Sequence, residues 1–162
     1  LLENFGGHTY AAGLSLKEEN LDAFTQRFLK LAADEIIPEQ MTPQIDIDAV
    51  LDLQDINSKF MSELKKMNPF GPDNQKPVFC SLGVKDYGTS KLVGKDLEHI
   101  KLELIDDKSN TPIHGIAFGM RQHNTHIKNM KPFNICYTIE ENTYNGNTSL
   151  QLMVKDIKEN DI

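Results

Sequence analysis

Two glycines followed by a histidine, in Phe5-Gly6-Gly7-His8-Thr9-Tyr10-Ala11-Ala12-Gly13, form the sharpest chemical feature of this sequence. Glycine has no Cβ and lets the backbone pass close to another group. If the residues after His8 open a short helix, the amides of Gly6, Gly7 and His8 converge at its N-terminus. That is an anion site, and a phosphate suits it. His8 then donates to a phosphate oxygen or stabilises a leaving group. The same residues also read as a Gly-Gly turn with an incidental histidine, and spacing alone leaves both readings open.

A second set of residues suits a nucleic-acid strand. Lys91, Lys95, Lys101, Arg121 and Lys128 offer phosphate contacts, and Tyr87 and Tyr144 offer platforms for bases. Stacking on such a platform is worth about 1–3 kcal/mol per base. Each lysine also reads as a solvated surface charge. Phe79, Phe118 and Phe133 sit in apolar runs and suit a core.

Groups with metal-ligand character resolve into plainer roles. Asp46 and Asp48 share one face of an alternating run but have no third ligand, so they are expected to face solvent. His123-Asn124-Thr125-His126 has ligand spacing but no neighbouring acid or cysteine, and reads as a solvated loop beside a basic stretch. His114 lies in a strand-like run and suits a structural role. Cys80 and Cys136 read as two buried thiols rather than a disulfide. No metal is expected to bind this chain.

The elements that must position these residues fall into two halves. Ser15-Leu16-Lys17-Glu18 fits a capping box at a helix start. Leu21, Phe24, Phe28, Leu31 and Ala32 then recur at helical spacing until Pro38. Residues 45–50 alternate apolar with acidic and predict a half-buried strand. A second helix is predicted over 53–67, with Ile56, Phe60, Leu64 and Met67 on one stripe. Residues 69–77, rich in Pro, Gly and Asn, mark a linker and domain boundary. Strands are then predicted at 78–86, 90–94, 99–106, 112–120, 133–140 and 148–157, with turns at 106–110 and at Asn145-Gly146-Asn147. About 80 residues of short strands suit a five-stranded Greek-key barrel of the oligonucleotide-binding (OB) type. An SH3-like barrel fits the periodicity almost as well.

The net charge of -7 is unevenly spread. Residues 1–55 set Lys17, Arg27 and Lys30 against eleven acids, whereas the remainder holds fourteen basic and thirteen acidic residues. Residues 119–139 carry Arg121, Lys128 and Lys131 with no acid. A phosphate contact needs only a local basic face. No run approaches the ~20 apolar residues of a membrane span. No signal peptide is evident, so the expected location is the cytoplasm. A motif within seven residues of a start that lacks Met leads us to expect a fragment of a longer protein.

Gly6-Gly7-His8-x-x-Ala11-Ala12-Gly13 resembles the G-G-H-x-x-A-A-G signature of the domain that follows the catalytic DHH domain in DHH phosphoesterases. Leu64-x-x-Met67-x-Pro69-Phe70-Gly71-Pro72-Asp73-Asn74-x-x-Pro77-x-Phe79 resembles the stretch that precedes the OB domain of RecJ exonucleases. It departs at Asp73, where that family has Gly, and at Gln75, where it has Pro. Val93-Gly94-Lys95-x-x-x-His99-Ile100-Lys101-Leu102 and Leu150-Gln151-Leu152-x-Val154-Lys155-Asp156-Ile157 resemble the OB domain itself. The resemblance covers about residues 4–158, and the order and spacing of the three motifs carry more weight than any one of them.

The resemblance implies an α+β chain: a small α/β DHH-associated domain remnant over 1–68, a linker over 69–77, and a five-stranded OB-type β-barrel over 78–162. It implies the C-terminal, substrate-gripping part of a single-strand-specific 5′→3′ DNA exonuclease of repair and recombination. Gly6, Gly7 and His8 would hold a phosphate near the 5′ end, and the barrel the strand that follows. Two metals, Mn²⁺ or Mg²⁺, would sit in the family's DHH domain and activate water there. This sequence has no Asp-His dipeptide, so the chain alone is expected to be inactive. Implied partners are single-stranded DNA and the N-terminal DHH domain, with no membrane. One competing reading makes the barrel a module that binds a single-strand-binding protein or a helicase. Another, a small-nucleotide phosphoesterase, has no use for the linker and barrel.

Overall fold

The computed structural model describes residues 1–109 and 111–160, with the side chain of Tyr144 outside that description. Contacts divide the chain into two units, Leu1–Ile45 and Asp46–Ile162.

In the first unit β1 (Leu2–His8) and β2 (Ala11–Leu16) form an antiparallel hairpin, with Gly6 opposite Gly13, Gly7 opposite Ala12 and His8 opposite Ala11. The short helix expected after His8 is absent, because the chain turns at Thr9-Tyr10 and returns as a strand. The expected capping box is overturned for the same reason: Ser15 and Leu16 belong to β2. A 3-10 turn at Glu18–Asn20 follows, and the helix α1 runs over Leu21–Glu35. It ends three residues short of Pro38, which opens another 3-10 turn. Phe24 and Phe28 stack one turn apart at 5.8 Å. No residue of this unit is buried.

The second unit is built on strands. Only Ala49–Val50 (β3) of the strand predicted over 45–50 forms, pairing in parallel with β4 (Phe79–Asp86). Asp48 accepts the Val78 amide on Oδ2 at 2.9 Å, so its carboxylate closes this pairing. The predicted second helix is shorter than its stripe: a 3-10 turn at Leu53–Asp55 and α2 over Ser58–Lys65. Asn57 interrupts it, adopting extended backbone while its side chain accepts the Lys59 and Phe60 amides. This is a helix N-cap.

The remaining strands fall close to their predicted positions: β5 (Lys91–Val93), β6 (His99–Ile105), β7 (Ile113–Ala117), β8 (Phe133–Tyr144) and β9 (Asn147–Glu159). The short α3 (Asn124–Lys128) lies between β7 and β8. Asn145 and Gly146, both at positive φ, make the two-residue turn joining β8 to β9, as Asn-Gly prefers. The sheet runs β3-β4-β8-β9-β7-β6-β5, and β4 also pairs with β6 at Lys85↔Ile105 and Asp86↔Leu104. The ladder from β4 through β8, β9, β7 and β6 therefore leads back to β4.

Alternation sends Ile100, Leu102 and Leu104 inward with Val84, Phe133, Ile135, Ile139 and Leu152. Leu53, Ile56 and Leu64 belong to the same cluster. Phe60 meets Phe79 edge-on at 5.5 Å. These contacts place residues 46–68 with the sheet, on the same side of the contact division at Ile45/Asp46. Tyr137 is fully buried with its hydroxyl 2.7 Å from Ser81 Oγ, and burial pushes that phenol well above its ordinary range.

Candidate nucleic-acid interface

The outer face of β6 carries His99, Lys101 and Glu103, which alternate with its fully buried residues. Across the ladders Lys91 of β5 stands directly opposite Lys101, and Ile116 and His114 of β7 stand opposite Lys101 and Glu103. Two exposed lysines facing each other across a strand pair repel. Lys95 lies in the exposed loop between β5 and β6. Arg121, on a 3-10 turn after β7, reaches that loop and donates to the Asp96 carbonyl at 3.4 Å.

Ion pairs separate the predicted basic contacts. Among the described residues Lys91, Lys95, Lys101 and Arg121 pair with no acid, whereas Lys65, Lys66, Lys76, Lys85 and Lys108 each do. Two acids of this face are already engaged. Glu103 takes the Thr89 hydroxyl and lies 3.6 Å from His114 Nδ1. Glu98 accepts the Asp96 amide at 3.0 Å and lies 3.2 Å from His99 Nε2. Its own backbone amide first, and then that of Asp96, holds its carboxyl below the usual range.

Lys128 stands apart from the other four. It is 3.7 Å from Asp86 Oδ2, a carboxylate oxygen in a residue 1% exposed that has no hydrogen-bond partner. The other oxygen of Asp86 accepts the Ser90 amide. Lys128 thus neutralises a buried charge. Tyr87 is 51% exposed just beyond β4, with its amide donated to the Glu103 carbonyl at 2.8 Å. Tyr144 falls at the β8–β9 turn, its side chain outside the described residues.

Phe79 and Phe133 are buried as expected, but Phe118 is 55% exposed. It lies four residues beyond the exposed His114, and that alternation was the available signal for an outward ring. The histidines after it are not a solvated loop. His123 Nδ1 is 2.7 Å from Glu159 Oε1, and His126 Nδ1 is 3.2 Å from Oε2 of the same carboxylate. Glu159 sits far along the chain on β9, which is why spacing alone could not reveal this clamp. Cys80 and Cys136 face each other across β4 and β8 as free thiols, each pushed up mainly by burial.

Gly6, Gly7 and His8 lie on the exposed edge of the first unit. A Cβ on Gly7 would stand 2.7 Å from Ala12 Cα, so the close crossing of the two strands requires glycine there. The Tyr10 amide donates to His8 Nδ1 at 3.3 Å, which leaves Nε2 as the free ring nitrogen. No helix among the described residues is long and apolar enough to cross a membrane.

Residues 47–156 match the model of the family described as the RecJ OB domain. The chain is 28% identical to the single-stranded-DNA-specific exonuclease RecJ of Haemophilus influenzae, over 98% of this chain and 27% of that protein. It is 28% identical to RecJ of Bacillus subtilis, over 96% of this chain and 20% of the relative. The chain thus spans about a quarter of the length of the curated relatives it matches. The crystal structure of RecJ in complex with Mn²⁺ from Thermus thermophilus superposes with a TM-score of 0.77 at 20% identity, over all of this chain and 22% of that one. That likeness is one of fold.

Proposed function

The chain belongs to the RecJ OB domain family, and from that premise we propose that it is the substrate-gripping region of a single-strand-specific 5′→3′ DNA exonuclease serving repair and recombination. In this reading the circuit of strands is a closed five-stranded OB barrel, and the hairpin and helix of Leu1–Ile45 are part of the DHH-associated domain. The outer face of β5, β6 and β7 holds the phosphates of a single strand through Lys91, Lys95, Lys101 and Arg121. In OB folds this strand face and its adjoining loops take oligonucleotides.

One observation carries the reading. Lys91 and Lys101 stand directly opposed on the strands, Lys95 and Arg121 lie in the adjoining loop and turn, and among the described residues none of the four pairs with an acid, in a protein of net charge -7. A polyanion relieves that repulsion. The hairpin contributes separately. His8 presents a free ring nitrogen beside Gly6 and Gly7, and the proposed role of these three residues is to take the 5′-terminal phosphate.

The metal chemistry of such an enzyme does not fit this chain. Among the described residues no group of three or more His, Cys, Asp or Glu side chains could hold a metal ion. Asp48, one of the two paired carboxylates, is taken by an amide. In this reading cleavage falls to the DHH domain, and the role of this chain is to hold the substrate.

The test is a titration of the chain into fluorescent oligothymidylate of about 16 nucleotides, with and without a 5′-phosphate, at several salt concentrations. Binding should weaken with salt at a log–log slope of about -0.7 per phosphate neutralised. Lys91→Ala with Lys101→Ala should flatten the slope by about 1.4. His8→Ala should abolish a preference for the 5′-phosphate. Indifference to the 5′ end removes the role given to His8. No binding at micromolar protein would give the face to a protein partner instead, a single-strand-binding protein or a helicase.

A further inference from the structure

Resting on the strand-binding reading above, we infer that Phe118 is a nucleobase-stacking platform on this face and that His99 is the residue that positions it. Single exposed hydrophobic residues are common and mean little alone. Phe118 differs in how it is held. Its ring meets that of His99 edge-on, with centroids 4.9 Å apart and planes at 79°.

His99 is itself pinned at both ring nitrogens. The Gly119 amide donates to Nδ1 at 3.0 Å, which leaves the ring proton on Nε2. Nε2 faces Glu98 Oε1 at 3.2 Å, and the same carboxylate accepts the Asp96 amide. An unbroken series of contacts therefore runs from the loop backbone through Glu98 and His99 to an aromatic ring that remains more than half open to solvent. A ring ordered before its ligand arrives loses less entropy on binding.

The surrounding charge selects the occupant. Lys101 stands two residues along β6 from His99, with Lys91 opposite it, and Arg121 follows Phe118 by three residues. Unpaired cations beside an aromatic platform fit a base with its flanking phosphates, since every base has a π face to stack. An apolar peptide would leave the cations without partners.

The sequence contains no tryptophan, so Phe118→Trp places a single indole at the site and keeps the platform. The whole 162-residue chain would be titrated with oligothymidylate and with an abasic oligomer of equal length, following both the anisotropy of an end label and the indole emission. The base-bearing strand should bind roughly five- to a hundredfold more tightly than the abasic one, and it alone should quench the indole. Phe118→Leu, which keeps apolar bulk, should remove most of that preference while abasic binding stays unchanged. His99→Ala should narrow the preference in the same way, which a loss of general fold stability would not do. Equal affinity for both oligomers with an unquenched indole overturns the stacking site and leaves the phosphate face standing. A preference that survives in Phe118→Leu overturns Phe118 as the platform. Failure of both oligomers to bind overturns the face and the platform together.

Discussion

Five basic residues of this chain look alike in sequence, and their surroundings divide them. Lys101 stands on an outward position of β6 with no acid to meet, whereas Lys128 lies 3.7 Å from a buried carboxylate. Truncating Lys128 leaves Asp86 Oδ2 buried with no counter-charge. Leaving a buried polar group unsatisfied costs about 1–3 kcal/mol. Lys128→Ala should therefore lower the denaturation midpoint while the salt slope of strand binding stays at the wild-type value. Asp86→Asn in the same chain should recover part of the loss, which a double-mutant cycle reads as a coupling. Equal slopes for Lys101→Ala and Lys128→Ala would return Lys128 to the interface. Nothing in the local sequence distinguishes the two lysines, because Asp86 lies far from Lys128 along the chain. Phe118 shares the alternation of the polar His114, yet the apolar neighbours Ile116 and Ala117 made it read as core.

Elements were legible where one face of a strand is buried. The six strands predicted from residue 78 onward all form, because alternation there reports a core that this chain itself supplies. The hairpin at Asn145-Gly146 was readable from its two turn residues alone. The first 50 residues were harder. Their apolar pattern has no buried side to match, so Gly6-Gly7-His8 read as the approach to a helix although it lies in a strand. Residues 53–67 held a true stripe, but the extended backbone at Asn57 splits it into a 3-10 turn and α2. That residue caps two free amides at the start of α2. Asn57→Ala should cost about 0.5–2 kcal/mol, seen as a lower urea midpoint with the slope unchanged, and Asn57→Ser should restore most of it. No shift would mean that burial of Ile56 and Leu64 alone holds this segment on the sheet.

At the scale of the molecule, burial is confined to one unit. Among the described residues every buried one lies between Leu53 and Ile157, and Leu1–Ile45 contributes none. Hydrophobic stabilisation scales with apolar area withdrawn from water, and the denaturant slope scales with the area exposed on unfolding. Both quantities should then belong to residues 46–162. The sheet closes its ladder within that span, from β4 back to β4, and draws on no strand of the first unit. A chain beginning at Asp46 should accordingly unfold in one cooperative transition with the urea midpoint and slope of the full chain. Its affinity for a 5′-hydroxyl strand should also be unchanged, since Lys91, Lys95, Lys101, Arg121 and Phe118 all remain. Only the preference for a 5′-phosphate should disappear, because Gly6, Gly7 and His8 go with the removed residues. A smaller slope or a lower midpoint would show that residues 1–45 supply burial to the folded state. Weaker binding of the 5′-hydroxyl strand would place part of the strand's path on those residues rather than on β5, β6 and β7.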